Sequence, residues 1–448
     1  MSFEMIQVNL GDFIDFRNGK SSPDRTPDGE FNVFGSNGII GQCAEKNASE
    51  FSLIIGRVGS YCGSVYQSRK ACWVTDNAII GALKNKDELN FWYFLLTKLD
   101  INAMSSGSGQ PLINQKLLNN IQVRVPLSSA IRVDIGNYLN LFNKKIKINY
   151  EINQTLEQMA QTLFKSWFVD FEPVKAKIAV LESGGSQEDA TLAAMTAISG
   201  KNADALVVFE REHPEQYAEL KATAKLFPSA MQESEFGEIP REWTLSTIGA
   251  QVDIAGGATP STKASEFWDN GTIHWTTPKD LSNVKDKILL YTERKITKSG
   301  LDKISSGLLP VNTVLMSSRA PVGYLAIAKV PIAINQGYIA MKCNKELSPE
   351  FVLQWCSENM PEIVSRASGT TFAEISKKNF NPIPLVKPQR ELVKNYTKKT
   401  SVIYSLIENT IRENNSLTQL RDTLLPKLLS GKITLPEAEQ AISEVENV

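Results

Sequence analysis

Asn153-Gln154-Thr155-Leu156-Glu157-Gln158-Met159-Ala160-Gln161-Thr162-Leu163 decides how this chain is read. A close version returns 261 positions later as Asn414-Asn415-Ser416-Leu417-Thr418-Gln419-Leu420-Arg421-Asp422-Thr423-Leu424. Each copy lies inside a longer amphipathic pattern. Over 129–171 the apolar side chains fall at Ile131, Ile135, Leu139, Phe142, Ile146, Ile152, Leu156, Met159, Leu163 and Trp167. Steps of three and four are the period of a helix with one apolar stripe. Over 389–430 the same spacing runs through Leu392, Tyr396, Val402, Ile403, Leu406, Ile407, Ile411, Leu417, Leu420, Leu424 and Leu428. Pro426 predicts a kink or an end there. A helix of about 40 residues is about 60 Å long, more than the width of the domains beside it. Such stripes want each other, so the two helices are predicted to pair as an antiparallel coiled coil with a pseudo-twofold axis.

Working outward, the repeat extends into the sequence before each helix. At an offset of 262, Ser106-Gly107 matches Ser368-Gly369, Ile113 matches Ile375, Leu118 matches Phe380, Ile121 matches Ile383, Val123 matches Leu385 and Pro126 matches Pro388. Weaker matches join Gly19-Lys20-Ser21 to Gly256-Gly257-Ala258, Leu53–Arg57 to Val314–Arg319, and Thr75–Ile79 to Ile334–Tyr338. On this reading Arg57 and Arg319 occupy equivalent places. Residues 1–128 and 241–388 are rich in short alternating strands broken by Gly, Pro and Asn, with one helix in each near 88–100 and 348–359. The fold class is therefore α+β: two domains, each a twisted sheet with short helices, joined by the two long helices. The segment 172–240 holds 6 basic and 12 acidic residues, is rich in Ala and Glu, and reads as helices and a linker broken at Gly184-Gly185-Ser186. Residues 431–448 form a C-terminal tail.

With 48 Lys plus Arg against 49 Asp plus Glu, the net charge of -1 excludes adhesion to nucleic acid or membrane by bulk charge. Divided by segment, residues 1–128 balance 12 against 12, whereas 241–388 carry 17 basic and 13 acidic. The five cysteines form no Cys-x-x-Cys pair and read as reduced thiols in the cytoplasm. No run of 18 apolar residues exists, so no membrane span is expected. Only two histidines are present. His213, in a polar helical stretch, reads as solvated, and His274, in a strand-like alternation, as structural. A zinc site or a Ser/His pair has little to draw on. Asn381-Pro382-Ile383-Pro384 lacks the second consecutive Pro and the aromatic residue of an adenine methyltransferase tetrapeptide, and Ser430-Gly431-Lys432 lacks most of a P-loop. Ser106-Gly-Ser-Gly109 follows no strong strand and carries no Lys. No metal ligand set and no catalytic residue is assigned, and any catalyst is expected on another chain.

The loops of the two globular parts mix Gly with basic, amide and hydroxyl residues. Side chains of these types read base edges and reach phosphates. The candidates are Lys20, Ser21, Arg57, Tyr61, Arg69, Lys70 and Asn77 in the first domain, and Lys263, Thr276, Lys279, Arg319, Asn335 and Gln336 in the second.

In this arrangement the chain resembles the specificity subunit of type I restriction-modification systems. The resemblance rests on the order variable domain, long helix, variable domain, long helix. It also rests on Trp243-Thr-Leu-Ser-Thr-Ile-Gly249, Gly257-Ala-Thr-Pro260, Phe267-Trp268 before Ile273-His-Trp-Thr-Thr-Pro278, and the helix ends Phe164–Phe171 and Leu424–Gly431. The first copy lacks a counterpart of Trp243 and of the Phe-Trp pair. The resemblance implies that residues 1–128 and 241–388 are target recognition domains, each reading one half of a split, asymmetric site in double-stranded DNA. It implies that the helices are a spacer and a dock for two methyltransferase subunits, through Phe164, Trp167, Phe168, Leu424 and Leu428, and through them for restriction subunits. S-adenosylmethionine, ATP and Mg would be used by those partners, with no cofactor on this chain. Two other functions fit the sequence: a coiled-coil adaptor that does not read DNA, and an enzyme with an unrecognised site in 172–240.

Overall fold

The computed structural model describes residues 3–104, 112–282, 284, 286–369 and 373–446. The chain forms two compact units. One comprises Met1–Asn149 with Arg412–Val448, the other Tyr150–Ile411.

In the first unit a four-stranded antiparallel sheet runs in the order Ile14–Asn18, Ala78–Leu83, Ser52–Gly56, Val65–Ser68. The central strand Ser52–Gly56 is buried on both faces. Its side chains alternate, as a strand requires. Leu53 and Ile55 pack with Phe91, Leu95 and Leu139, while Ile54 packs with Phe34, Val74 and Ile80. A second, three-stranded sheet has Phe31–Gly35 in the middle, antiparallel to Gly38–Cys43 and parallel to Trp73–Val74. Strand Met5–Asn9 pairs antiparallel with Gln122–Pro126.

The second unit repeats this plan. Its larger sheet runs Asp253–Ala255, Tyr338–Lys342, Val314–Ser317, Leu325–Ala328, with Ile288–Leu289 added as a parallel edge. Its smaller sheet has Ile273–Thr276 in the middle, antiparallel to Arg294–Ile296 and parallel to Ile332–Ile334. Thr244–Thr247 pairs with Pro384–Lys387. One helix per copy, Leu89–Lys98 and Pro349–Glu358, packs its buried face on the larger sheet's core.

Two 40-residue helices, Ser129–Phe168 and Arg390–Leu429, pair antiparallel. In the first unit Asn149 Nδ2 donates to Asn414 Oδ1 and Glu413 Oε2, both at 2.8 Å. Arg421 Nη1 reaches Asn143 Oδ1 at 2.5 Å. In the second unit Thr410 Oγ1 bonds Asn153 Oδ1, and Tyr404 Oη donates to Glu157 Oε2 at 2.9 Å. As numbering rises along one helix it falls along the other. Buried amides in such a seam cost stability and fix register. Pro426 neither ends nor visibly interrupts the second helix, which continues to Leu429. Pro426 lacks the N–H for one internal bond, only three residues remain after it to be redirected, and Ser430 Oγ donates to the Pro426 carbonyl at 2.7 Å. The tail after it holds a further helix, Leu435–Glu446.

The segment after the first long helix folds as four helices, Glu172–Glu182, Gln187–Ser199, Ala203–Glu212 and Pro214–Lys225. Ser186 is the N-cap of the second, in a capping box with Asp189. Met195, Leu206 and Leu220 form their small core.

The first long helix is anchored at its start by a buried ion pair. Arg132 meets Glu88 through two contacts, Nη2 to Oε1 at 2.8 Å and Nε to Oε2 at 3.0 Å. Arg132 Nη1 also donates to the carbonyls of Pro126 and Leu127. Ser129 Oγ and Trp92 Nε1 complete the carboxylate shell. Burial raises the Glu88 pKa, but the bonds from Arg132, Ser129 and Trp92 outweigh it and hold the carboxyl below its ordinary value.

Arg132→Met is expected to strand this carboxylate in the core and cost about 3–5 kcal/mol, measured by urea denaturation of the full chain. The exposed pair Arg366–Glu362 serves as the control and contributes under about 1 kcal/mol. Because the folded pKa of Glu88 is depressed, its contribution is present above the ordinary carboxylate range and fades as pH falls through the folded value. Glu88→Gln should therefore flatten the acid limb of the stability profile below about pH 4.5.

Candidate nucleic-acid interface

Each globular domain builds the same cradle from backbone. In the first, Lys20 N donates to the Val74 carbonyl, Thr75 N to the Phe34 carbonyl, Arg57 N to the Asn77 carbonyl and Ile113 N to the Arg57 carbonyl. In the second, Ala258 N donates to Ile334, Asn335 N to Thr276, Ser318 N to Gly337 and Ile375 N to Ser318. The bonds place Lys20 with Ala258, Thr75 with Asn335, Asn77 with Gly337 and Arg57 with Ser318. The expected equivalence of Arg57 and Arg319 is thus displaced by one residue, and Val58 is the counterpart of Arg319. The reason lies in the turn that follows. Gly56 N bonds the Ser64 carbonyl, but Ser317 N bonds that of Tyr324, a turn one residue shorter.

Two glycines make the cradles possible. A Cβ on Gly19 would meet the Thr75 carbonyl oxygen at 2.0 Å, and a Cβ on Gly257 would meet that of Ile334 at 1.9 Å. No side chain fits either contact.

Around the first cradle the structure gathers Lys20, Ser21, Arg57, Tyr61 and Asn77. Lys20, Ser21, Tyr61 and Asn77 are exposed. Arg57 is half-buried and donates from Nη1 to the Asp76 carbonyl at 3.3 Å, while its buried Nε has no partner among the described residues. The Ser21 carbonyl accepts from Trp73 Nε1. Arg69 and Lys70 do not join this group. Ser52 pairs with Ser68, so they lie at the other end of the strand that leads into Arg57, about 16 Å away at roughly 3.3 Å per residue. Arg69 instead bonds Asn90 Oδ1 at 2.9 Å, and Asn90 bonds Asn137 of the first long helix.

Around the second cradle Lys279, Arg319 and Asn335 line one cavity of about 470 Å³ together with Thr277 and Tyr324. Both cations face carboxylates, Lys279 Nζ at 2.8 Å from Glu293 and Arg319 Nη1 at 3.7 Å from Glu374. Gln336 accepts from Thr259 Oγ1 at 2.8 Å. Lys263 stands exposed on the loop after Pro260. Thr276 is fully buried and its hydroxyl contacts Tyr338 Oη at 3.0 Å, so it is an interior residue; its neighbour Thr277 takes the surface position. Thr276 closes strand Ile273–Thr276 rather than lying on the loop that follows it.

Sequence reasoning missed two further groups. In the first domain Arg25, Asn32, Ile39, Ile40 and Gln42 line a shallow cavity of about 490 Å³ on the smaller sheet. Ile39 is 58% exposed at a hairpin tip. The signal was Ser36-Asn37-Gly38 between two alternating runs, a two-residue hairpin turn. In the second domain the Arg294 guanidinium lies 3.5 Å over the Trp268 ring, a pairing of residues far apart in sequence. His274 on the adjacent strand contacts Thr292 Oγ1 at 3.0 Å, and burial, with a smaller effect from Lys295, lowers its pKa. His213 is exposed between two helices. Ser106-Gly107 and the Gly-Ser-Gly that follows lie outside the described residues.

The aromatic residues expected to meet partners are interior. Phe164, Trp167 and Phe168 stack edge-on or tilted with Phe227, Trp243, Phe351 and Tyr396. Leu424 and Leu428 are buried in the first unit's core. Trp167 is fully enclosed, while Phe164 and Phe168 border a cavity of about 480 Å³ together with Phe236, Phe351 and Trp355. The apolar residues that do face outward on the helices are Leu141 and Ile148 in the first unit, and Ile152, Met159, Val402 and Leu406 in the second. Among the described residues no cluster of His, Cys, Asp and Glu is placed to hold a metal, and no helix is long and apolar enough to cross a membrane.

A repeated sheet plan on paired antiparallel helices defines a class, and comparison with known proteins identifies it. The fold is similar to that of an S subunit of a type I restriction-modification system from M. genitalium, with a TM-score of 0.52 at 15% identity over 95% of this chain and 96% of that one. The model of the type I restriction modification DNA specificity domain matches residues 4–158 and 240–419. The specificity subunit of the type I restriction enzyme HindI from Haemophilus influenzae is 33% identical over 74% of this chain and 73% of its own length. That of MjaIX from Methanocaldococcus jannaschii is 34% identical over 42% and 44%. The chain belongs to the family of type I restriction-modification specificity subunits.

Gly19→Ala and Gly257→Ala are each expected to force the cradle backbone apart at a cost of about 1–3 kcal/mol. Thermal unfolding checks the cost. Amide exchange should show the loosening confined to Thr75–Asn77 in one variant and to Asn335–Gly337 in the other.

Proposed function

We propose that this specificity subunit reads a bipartite, asymmetric DNA sequence, one half-site per globular domain, through the loops around the two cradles. The single observation that carries this reading is the repeat of one backbone cradle with different side chains on it. Lys20, Arg57, Tyr61 and Asn77 surround one, and Lys279, Arg319, Asn335 and Gln336 the other. Identical scaffolds with different polar groups suit two half-sites of different sequence, since base identity is read by side-chain donors and acceptors. The cations of the second domain already face Glu293 and Glu374, so DNA phosphates or bases would exchange with those carboxylates. Local basic groups rather than net charge then supply affinity, which accords with the overall charge of -1.

The paired helices act as the spacer between half-sites and as the dock for two methyltransferase subunits, which in turn hold restriction subunits. The outward Leu141, Ile148, Ile152, Met159, Val402 and Leu406 are the docking side chains on this reading. S-adenosylmethionine, ATP and Mg belong to those partners, and the assembly works in the cytoplasm. This chain supplies recognition and no catalysis.

In complex with its methyltransferase partner, the chain should protect one bipartite sequence against competitor DNA. Gel-shift competition without sequence preference would sink the reading. Arg57→Ala should relax specificity in one half-site by about 1–3 kcal/mol and leave the other unchanged, and Asn335→Ala should do the converse. Selection of preferred sites from a random pool measures both. Inserting one or two turns at matching points of both helices should change the length of the gap and neither half-site. Met159→Asp with Val402→Asp should weaken methyltransferase assembly, read by gel filtration, while the chain's own melting is preserved.

A further inference from the structure

We infer that the chain carries a pocket for a phosphate monoester, between the helical segment that follows the first long helix and the opening strand of the second domain. The cavity measures about 450 Å³ and is lined by Lys177, Lys225, Phe227, Arg241, Glu242 and Gln389, among others. All lie in the second compact unit.

Lys177 is the unusual member. It sits in helix Glu172–Glu182 and is 2% exposed. Its Nζ donates to the Phe227 carbonyl at 2.5 Å, and among the described residues no carboxylate pairs with it. Burial lowers its pKa. An ammonium has three donors, and a buried cation without a counter-charge is costly. Capping the end of helix Pro214–Lys225 explains the bond to Phe227. It does not explain why two more cations line the same cavity. Lys225 and Arg241 are exposed, and among the described residues neither forms an ion pair.

The charge inventory selects the ligand. In the lining, three cations stand against one carboxylate, Glu242, which is held by Gln389 Nε2 at 2.7 Å, while Glu188, committed to Lys221, acts on Lys225 from outside the lining. The excess of two positive charges matches a phosphate monoester, which carries about -1.5 to -2 near neutral pH, better than a single carboxylate. Composition does not impose this lining, because residues 172–240 have twice as many acidic as basic residues. Leu226, Phe227 and Pro228 give one apolar wall for the organic part. Phe227 is held edge-on against Trp167 at 5.1 Å, so that wall is tied to the aromatic core.

Isothermal titration calorimetry on the full chain, without duplex DNA, tests the pocket. Inorganic phosphate and AMP should bind saturably and adenosine should not. Arg241→Gln and Lys225→Met, both at exposed positions, should each weaken AMP about tenfold or more. Lys177→Met should abolish binding, with circular dichroism as the check on folding. A 5′-phosphorylated single strand that competes with AMP, where its 5′-hydroxyl twin does not, would mark a nucleic-acid end as the source. AMP binding without such competition would mark a free organic phosphate. No saturable heat with phosphate or AMP at millimolar concentration overturns the inference, as does AMP affinity unchanged in Arg241→Gln and Lys225→Met. Failure here leaves bipartite DNA reading untouched, because that reading uses the cradles and not this cavity.

Discussion

The register of the two long helices is the constraint on which the rest of the structure depends. An apolar seam alone tolerates sliding, because one leucine replaces another with little change in buried area. The seam here is interrupted by Asn149 against Asn414, Asn153 against Thr410, and Glu157 against Tyr404. All of these but the half-buried Thr410 are buried, and each loses its partner if one helix slips by a turn, leaving an unsatisfied polar atom worth about 1–3 kcal/mol. Glu157 is the most heavily committed. It accepts from Tyr404, Gln354 and Gln161 and pairs with Lys287 at 2.9 Å. Gln354 and Lys287 belong to the second globular domain, so within that unit one carboxylate ties both helices to the domain they carry.

The first unit solves the same problem differently. There the helix is fixed at its start, where Arg132 and Glu88 join the first turn to the domain's own helix. The buried pair is directional and bidentate, so it sets an angle as well as a contact. The two copies therefore share a sheet plan and a helix pattern but not their polar anchors. Divergence of this kind follows when the repeat is kept by apolar spacing, which many residues satisfy, while a buried polar contact needs one particular partner.

Much of this was legible in the sequence. The 3.6-residue period over 129–171 and 389–430, written twice, gave the helices and their pairing. The match of Ile113 to Ile375 is seen directly in the shared bond to the residue after the central strand. Loops were less legible. Arg57 and Arg319 matched by offset but not in space, because one turn is a residue shorter and sequence spacing does not report turn closure. Thr276 was read as a loop residue, but it closes strand Ile273–Thr276 and its hydroxyl turns inward to Tyr338. Arg69 carries the same chemistry as Arg57, and only the pairing of Ser52 with Ser68 shows that it lies at the far end of the strand.

The sequence by itself determined the architecture, since periodicity, repetition and the apolar stripe are local properties that survive without knowledge of neighbours. The tertiary structure alone decided which polar side chains stand together. It packed Phe164, Trp167 and Phe168 against Phe227, Trp243, Phe351 and Tyr396, brought Lys177 to Lys225 and Arg241, and set Lys279 and Arg319 against Glu293 and Glu374. The physical reason is that burial and charge pairing depend on distances between residues tens to hundreds of positions apart. Those distances are fixed by packing and by the closure of individual turns, and no local pattern encodes them.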